Sequence, residues 1–135
     1  MPDKNTSSTR PYILVVGSSN TDMVIKTPHL PGPGETILGG SFFMNPGGKG
    51  ANQAVATARL GANVIFICKT GNDIFGKQST EIFKQEGINI NYIVSDSKNP
   101  SGVALITVDD KGENCIAVAS GANATLDISD LQPLQ

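Results

Sequence analysis

The sequence predicts an α/β protein in which helices flank a partial parallel sheet. Between residues 12 and 94, apolar strand patterns alternate with two helical patterns, and a glycine follows each helix. From residue 102 the pattern changes to two short apolar strands around a polar turn that contains glycine, which predicts a β-hairpin. The chain is therefore expected to combine a parallel layer with a smaller antiparallel one.

Each element of the parallel layer has its own signal. The run YILVV at residues 12–16 is β-branched and apolar, as expected of a buried parallel strand. In residues 51–60, alanine and valine recur at intervals of three and four, so a narrow helical face can pack closely on a sheet. The predicted elements are a strand at 12–16, a helix at 51–60, a strand at 63–68, a helix at 75–86 and a strand at 88–94.

Two further extended segments precede the first helix. Residues 23–26 and 36–44 have strand-like composition, and prolines and glycines between them force a loop. We expect these segments to pair as antiparallel strands that project from the core. The later hairpin is expected at 103–108 and 115–119, and a last helix around 128–131.

The bulk composition excludes several classes of protein. The chain has 135 residues, 39% of them hydrophobic, and a net charge of -2, which is too apolar and too weakly charged for a disordered chain. It lacks the clustered Lys and Arg of a nucleic-acid surface and any apolar run of membrane-spanning length.

The N-terminus and the cysteines bear on location. The first ten residues are polar and do not look like a secretory signal, so residues 1–11 are expected to form a flexible leader. Cys68 and Cys115 lie far apart in the sequence and His29 is the only histidine, which is neither a disulfide framework nor a metal-binding pattern. We therefore expect a cytoplasmic protein, and we expect no metal-ligating residues in this chain.

The glycine-rich loop at residues 47–50 is the strongest local signal for a ligand. Successive glycines at the start of a helix let the backbone approach a ligand and point amides at it. The loop is not a Walker phosphate loop, since Lys49 is followed by Gly50 rather than by Ser or Thr. A Rossmann fingerprint is also excluded, because the first strand is followed by GSSNTD at residues 17–22.

Four polar side chains stand at the ends of predicted elements. Asn20 and Asp22 follow the first strand, and Lys49 and Asn52 begin the first helix. Ligands of open α/β sheets bind where such loops converge, and this set of groups suits a small polyhydroxy compound. An alternative interpretation stays open, in which the Asn and Asp form turns and the glycines only permit tight packing.

The order of these segments resembles the ribokinase-like family of carbohydrate kinases. The resemblance runs from about residue 12 to the end of the chain and is strongest at NPGGKGANQAVATARLGANV, residues 45–64. The other segments that carry it are GSSNTD at 17–22, PGPGET at 31–36, TGND at 70–73, GVALI at 102–106 and GENCIAVASGAN at 112–123. Lys49 and Gln53, with the later GEN and GAN elements, point to the ribokinase branch.

This resemblance implies a fold, a site and a partner. Residues 12–135 would be the N-terminal part of a ribokinase-like domain, with a small antiparallel β lid built from segments near 23–44 and 102–120. The lid forms the dimer contact in relatives, so a homodimer is implied for the complete protein. The residues implied to bind D-ribose are Asn20, Thr21, Asp22, Gly48, Lys49, Gly50, Ala51, Asn52, Ala104 and Val118.

The resemblance also implies what the chain does not contain. The family's catalytic aspartate, its ATP-binding residues, its Asn-x-x-Glu element near magnesium and its monovalent cation site lie in the C-terminal half. None has a counterpart here, and Asp73 belongs to a different loop. The implied activity is ATP-dependent phosphorylation of D-ribose at its 5-hydroxyl, with ATP, Mg²⁺ and K⁺ used by the complete enzyme and no catalytic residue in this chain.

The sequence leaves other functions open. The chain could be a non-catalytic sugar-binding or dimerisation module, or part of a kinase for another sugar or a nucleoside. A third alternative is a fragment with no stable fold. Because an incomplete sheet leaves an edge and apolar helix faces uncovered, we expect the isolated chain to be oligomeric or poorly soluble.

Overall fold

The computed structural model describes residues 11–134 of the chain and confirms the α/β fold class. The flexible leader expected at residues 1–11 lies outside the described residues, apart from Pro11. The elements are β1 Tyr12–Val16, β2 Asn20–Lys26, β3 Ser41–Gly47, α1 Lys49–Arg59, β4 Asn63–Ile67, β5 Lys69–Gly71, α2 Ile74–Gln85, β6 Val94–Asp96, β7 Gly102–Val108 and β8 Asn114–Ala119. Two 3₁₀-helices follow, at Gly121–Thr125 and Ile128–Leu134. Neither α-helix has the length and apolar composition needed to span a membrane, and this holds for every helix within residues 11–134.

The parallel layer is built around β4 and β5, which are separated only by Cys68. β1 pairs in parallel with β4 from Tyr12↔Asn63 to Val16↔Ile67, and β5 pairs in parallel with β6. The Val94 N–H donates to the Cys68 carbonyl at 2.9 Å, which continues the pairing between β4 and β5. The described part of the layer therefore has β1 on one side of this central strand and β6 on the other.

The third strand is shorter than the sequence predicts. Of the expected strand at 88–94, the structure retains a single parallel bridge between Ile65 and Asn89, and β6 begins only at Val94. The Asn89 side chain accepts a hydrogen bond from the Asn91 N–H at 3.0 Å. This local side-chain turn competes with strand pairing and explains the interruption.

The core lies between the central strand and the two helices. Phe66 of β4 and Phe83 of α2 are completely buried and meet edge to face, with ring centroids 5.2 Å apart. Ala51 and Ala54 of α1 are also buried in this core, as the small-residue pattern predicts. Small side chains on α1 allow the helix to lie close to β1 and β4, and the aromatic pair fills the space beside α2.

β1 is more exposed than predicted. Val15 is buried, but the other four side chains of this strand, from Tyr12 to Val16, are between 46% and 62% exposed. Within residues 11–134, β1 has β4 as its only strand partner, so one of its edges stays open. The apolar composition predicts burial on both faces, and the described neighbours supply only part of it.

A second sheet of four strands has the order β3-β2-β7-β8. β2 and β3 pair antiparallel, and β7 and β8 form the predicted hairpin, so both of these predictions are confirmed. β2 begins at Asn20 and β3 covers Ser41–Gly47, so residues 36–40 of the predicted strand lie outside it. The central pair, β2 and β7, is parallel, and this pairing of distant segments was not predicted.

Removing the buried aromatic ring of Phe83 should strongly destabilise the fold. We expect Phe83→Ala to lower the free energy of unfolding by about 3–5 kcal/mol, since it leaves a cavity beside Phe66. Leu60→Ala is the matched control, because Leu60 at the end of α1 is 89% exposed and its loss should cost less than about 0.5 kcal/mol. Urea unfolding of both variants measures the difference, and equal midpoints would contradict the assignment of the core.

Candidate functional site

A cavity of about 430 Å³ opens where the four-stranded sheet meets the start of α1. Its walls come from the loop after β1, from β2, β7 and β8, from the start of α1, and from the first 3₁₀-helix. The residues that line it are Ser18, Asn20, Asp22, Gly48, Lys49, Asn52, Ala104, Ile106, Ile116, Val118, Ser120 and Asn123.

Strand register brings one row of this wall together. Asp22 of β2 lies opposite Ala104 of β7, and Ala104 lies opposite Val118 of β8. Because side chains alternate between the faces of a strand, these three share a face with Asn20, two residues before Asp22. A carboxylate and an amide therefore stand beside an apolar surface made by the hairpin.

Seven of the ten residues predicted from the sequence line the cavity. They are Asn20, Asp22, Gly48, Lys49, Asn52, Ala104 and Val118. The role of these seven residues in binding stays a prediction.

The other three predicted residues do not line it. Thr21 follows Asn20 on β2, so its side chain lies on the opposite face, beside Met44 and α2. Gly50 is buried against Gly17, and a Cβ on Gly50 would lie 2.7 Å from Gly17 backbone atoms. Ala51 is buried in the core, and its N–H donates to the Ser18 carbonyl at 3.0 Å.

Two glycines give the floor of the cavity its shape. Gly48 precedes α1 with φ of +95°, a conformation that favours glycine, and a Cβ there would lie 2.7 Å from the Ser18 carbonyl oxygen. A Cβ on Gly47 would collide with the carboxylate of Asp22. The glycine loop therefore lies directly against the residues that follow β1, which brings Lys49 and Asn52 to the same cavity as Asp22.

The charges in the site are those of Asp22 and Lys49. Burial raises the pKa of the Asp22 carboxyl above its usual value, since desolvation disfavours the ionised form. Lys49 is exposed at the first position of α1. The site can therefore accept hydrogen bonds at the carboxylate and donate them from an ammonium and from side-chain amides.

Sequence reasoning missed several lining residues, above all Asn123. This residue lies in the 3₁₀-helix Gly121–Thr125, about a hundred positions after β2, and it hydrogen-bonds to both Ser19 and Asn20. The GAN element at 121–123 was part of the resemblance, but no pattern in the sequence gave it a role. Ile106 and Ile116 were also missed, although the alternation of the predicted hairpin places them on the same face as Ala104 and Val118.

Asp73 has a structural position outside the cavity. It caps α2 by accepting from the Gly76 N–H at 2.9 Å, and it accepts from both the N–H and the hydroxyl of Ser101. Burial acts to raise the pKa of Asp73, but the hydrogen bonds from Ser101 and Gly76 outweigh it and leave the pKa below its usual value. An ionised, fully hydrogen-bonded cap of this kind holds two loops together and is unsuited to act as a base.

Within residues 11–134, burial keeps one of the two cysteines in its thiol form. Cys68 is completely buried, and desolvation raises the pKa of its thiol to about 12, so it stays protonated. Among residues 11–134, no group of three or more His, Cys, Asp or Glu side chains is arranged to hold a metal ion.

The chain is similar to known proteins over nearly its whole length. Residues 10–135 match the family described as pfkB family carbohydrate kinase. The mouse ribokinase is 45% identical over 120 residues, which cover 89% of this chain and 37% of the mouse protein. The chain thus spans well under half the length of this curated relative.

Two solved structures have the same fold. The ribokinase of Giardia lamblia matches with a TM-score of 0.86 at 35% identity, covering 94% of this chain and 38% of the other. The Arabidopsis thaliana ribokinase, solved as a complex with ribose and ATP, matches with a TM-score of 0.77 at 33% identity, covering 91% of this chain and 41% of the other. The family match takes in nearly the whole chain, and these similarities agree with it. This chain belongs to the pfkB family of carbohydrate kinases.

Proposed function

We propose that this chain forms the sugar-binding part of a ribokinase, which transfers a phosphoryl group from ATP to the 5-hydroxyl of D-ribose. The observation that carries the proposal is the composition of the cavity. Asp22, Lys49 and three asparagines line it together with the apolar side chains of β7 and β8. The Arabidopsis relative that was solved with ribose and ATP supports this choice of substrate.

The proposed roles follow from the donors and acceptors. The carboxylate of Asp22 accepts from sugar hydroxyls, while Lys49 and the amides of Asn20 and Asn52 donate to hydroxyl oxygens. Ala104 and Val118 contact an apolar face of the sugar. The cavity volume of about 430 Å³ lies within the range of small-molecule sites, roughly 300–1,000 Å³.

We propose that the β3-β2-β7-β8 sheet is a lid over the sugar, as expected for segments near 23–44 and 102–120. One face of this sheet carries Asp22 and lines the cavity. Lid closure would exclude water from the reacting hydroxyl, which protects a phosphoryl transfer from hydrolysis.

The opposite face of the same sheet supports a homodimer. Ile25, Phe42, Met44 and Leu105 lie on this face and are between 38% and 62% exposed. A contiguous apolar face of a sheet is typical of an interaction surface. We propose that two copies of the complete protein pack together through it.

The transfer itself needs groups that we assign to another part of a longer protein. Phosphoryl transfer requires a base, charge stabilisation and a held nucleotide. The complete enzyme is expected to use Mg²⁺ and K⁺, and within residues 11–134 no group of three or more His, Cys, Asp or Glu side chains is arranged to hold a metal ion. We propose that ATP, both cations and the base are held beyond this chain, which alone is inactive, and that the protein acts in the cytoplasm.

Sugar binding and turnover should separate in this chain. We expect purified chain to bind D-ribose in isothermal titration calorimetry but to release no ribose-dependent ADP with ATP, Mg²⁺ and K⁺ present. The chain extended by its downstream sequence, if that sequence contains a GAGD-like segment, is the positive control and should restore turnover.

Each alternative result has a defined meaning. Robust ribose-dependent ADP release by the chain alone would contradict the proposed division of the site. Ribose binding without turnover in the extended protein would favour the second candidate, a non-catalytic sugar-binding module. No heat of binding with ribose would contradict the proposed function.

Replacement of Asp22 should weaken sugar binding without destabilising the fold. The pKa of Asp22 is higher in the folded state than in the unfolded state, so ionisation of this carboxyl opposes folding. Stability therefore falls as the pH rises from the unfolded-state pKa to the folded-state pKa. Asp22→Asn removes this penalty, so the melting temperature at pH 7 should be unchanged or higher. Loss of the charged acceptor should weaken ribose binding by about 10- to 100-fold.

Asp110→Asn is the control for Asp22→Asn, since Asp110 is exposed in the β7–β8 turn. It removes the same charge from a distant position and should leave ribose affinity unchanged. Thermal melting measures the stability of both variants, and calorimetry measures their affinity for ribose. Unchanged ribose affinity in Asp22→Asn would remove Asp22 from the proposed site.

A charge placed on the face of the four-stranded sheet opposite the cavity should reduce self-association. Leu105 lies on this face and is 56% exposed, so Leu105→Asp should shift the chain toward a monomer in sedimentation velocity. Leu38→Asp, at a position 89% exposed in the loop before β3, introduces the same charge and should not change the mass. A monomeric parent chain with a sharp elution profile and cooperative melting would contradict the oligomerisation expected of the isolated chain.

A further inference from the structure

Asn123 makes an unusually complete set of hydrogen bonds beside the cavity. Its Oδ1 accepts from the Ser19 N–H at 2.9 Å, and its Nδ2 donates to the Ser19 carbonyl at 3.0 Å. The same Nδ2 donates to Oδ1 of Asn20 at 2.8 Å. One side chain thus joins the 3₁₀-helix Gly121–Thr125 to the loop after β1 and to the first residue of β2.

These bonds determine which atom of each amide is oxygen and which is nitrogen. A backbone N–H only donates and a backbone carbonyl only accepts, so Ser19 fixes the orientation of the Asn123 amide. Nδ2 of Asn123 then donates a hydrogen bond to Asn20, and the accepting atom is Oδ1 of Asn20. The orientation of the Asn20 amide is therefore set by the backbone of Ser19 through Asn123.

The position of Asn123 is held from the other side as well. Ala122 is completely buried, and its N–H donates to the Pro100 carbonyl at 2.7 Å. At the end of the same 3₁₀-helix, the Thr125 hydroxyl donates to Asp96 at 2.7 Å. Asn123 therefore belongs to a segment that is anchored on the connection between β6 and β7.

The start of the neighbouring strand β7 lies directly against this contact. A Cβ on Gly102, the first residue of β7, would collide with Nδ2 of Asn123 and with Oδ1 of Asn20. Gly102 also pairs directly with Asn20 in the sheet. The contact between the two asparagines thus depends on a glycine at the start of β7.

We infer that Asn123 is a positioning residue that makes Asn20 present its amide nitrogen, rather than its oxygen, to a ligand in the cavity. This inference rests on the proposed function, because it specifies how the same cavity recognises a sugar. Asn20 then acts as a donor two residues before the acceptor Asp22, on the same face of β2. A pair of neighbouring hydroxyls satisfies both groups, one accepting from Asn20 and the other donating to Asp22.

Two substitutions of Asn123 separate positioning from simple support. Asn123→Ala removes the contact and frees the Asn20 amide to rotate, so D-ribose should bind about 10-fold more weakly. Asn123→Asp replaces the donor by a carboxylate, which favours the reversed Asn20 amide and presents an acceptor beside Asp22. It also loses the hydrogen bond to the Ser19 carbonyl, which is lost in Asn123→Ala as well. Ribose should then bind about 100-fold more weakly in calorimetry, although the side chain of Asn20 is unchanged.

Asn99 provides a matched control. Its Nδ2 donates to Asp96 at 3.0 Å and it is partly buried, as Asn123 is, but it does not line the cavity. Asn99→Asp should lower the melting temperature by charge repulsion and leave ribose affinity within about twofold. If both Asn123 variants bind ribose as tightly as the parent chain, or if Asn99→Asp weakens binding equally, the positioning role is wrong.

A second measurement does not depend on the sugar. In ligand-free Asn123→Asp, the side-chain amide protons of Asn20 should donate to the new carboxylate, so their NMR shifts should titrate with the carboxyl at position 123. Absence of that titration would overturn the inference even if ribose binds. A parent chain that binds no ribose would contradict the proposed function, while the NMR titration would still decide the orientation of Asn20.

Discussion

The close contact between the loop after β1 and the start of α1 determines the rest of the site. A Cβ on Gly17 would lie 2.9 Å from the Gly50 Cα, and a Cβ on Gly48 would lie 2.7 Å from the Ser18 carbonyl oxygen. The Ala51 N–H donates to that same carbonyl at 3.0 Å, so the first turn of α1 is fixed to the end of β1. Because two backbones meet without side chains between them, Lys49 and Asn52 on one segment reach the same cavity as Asn20 on the other.

The four-stranded sheet supplies further walls of the cavity. β2 starts at the same loop and carries a carboxylate, while β7 and β8 add an apolar wall on the same face. The two faces of the sheet thus have different chemistry, because alternate residues of each strand point to opposite sides. One set of short strands therefore lines the cavity with one face and exposes apolar side chains on the other.

Local patterns in the sequence predicted those parts of the molecule that depend on near neighbours. The small-residue face of α1 and the β7–β8 hairpin could be found because their spacing is short. Thr21 was placed in the site with Asn20, although strand alternation separates adjacent residues. The strand predicted at 88–94 is interrupted by a side-chain turn at Asn89, which strand patterning does not reveal. The exposure of β1 depends on which elements surround it in the fold.

The contribution of Asn123 could not be predicted for a different reason. Its partners Ser19 and Asn20 are remote in the chain, and no periodicity or spacing connects positions so far apart. The resemblance to a family supplied the cavity residues that local patterns left ambiguous, such as Ala104 and Val118. It supplied no partner for Asn20, because a hydrogen bond between side chains is a property of the folded geometry.

The parallel pairing of β2 with β7 has a consequence for the order in which the protein forms during synthesis. β2 can pair with β3 soon after both leave the ribosome, but its other edge must wait for residues 102–108. Bringing such distant segments together carries a larger entropy cost than closing a hairpin, so this step is expected to come late. The residues that line the cavity extend from Ser18 to Asn123, so a nascent chain that has not yet reached Asn123 holds an incomplete cavity.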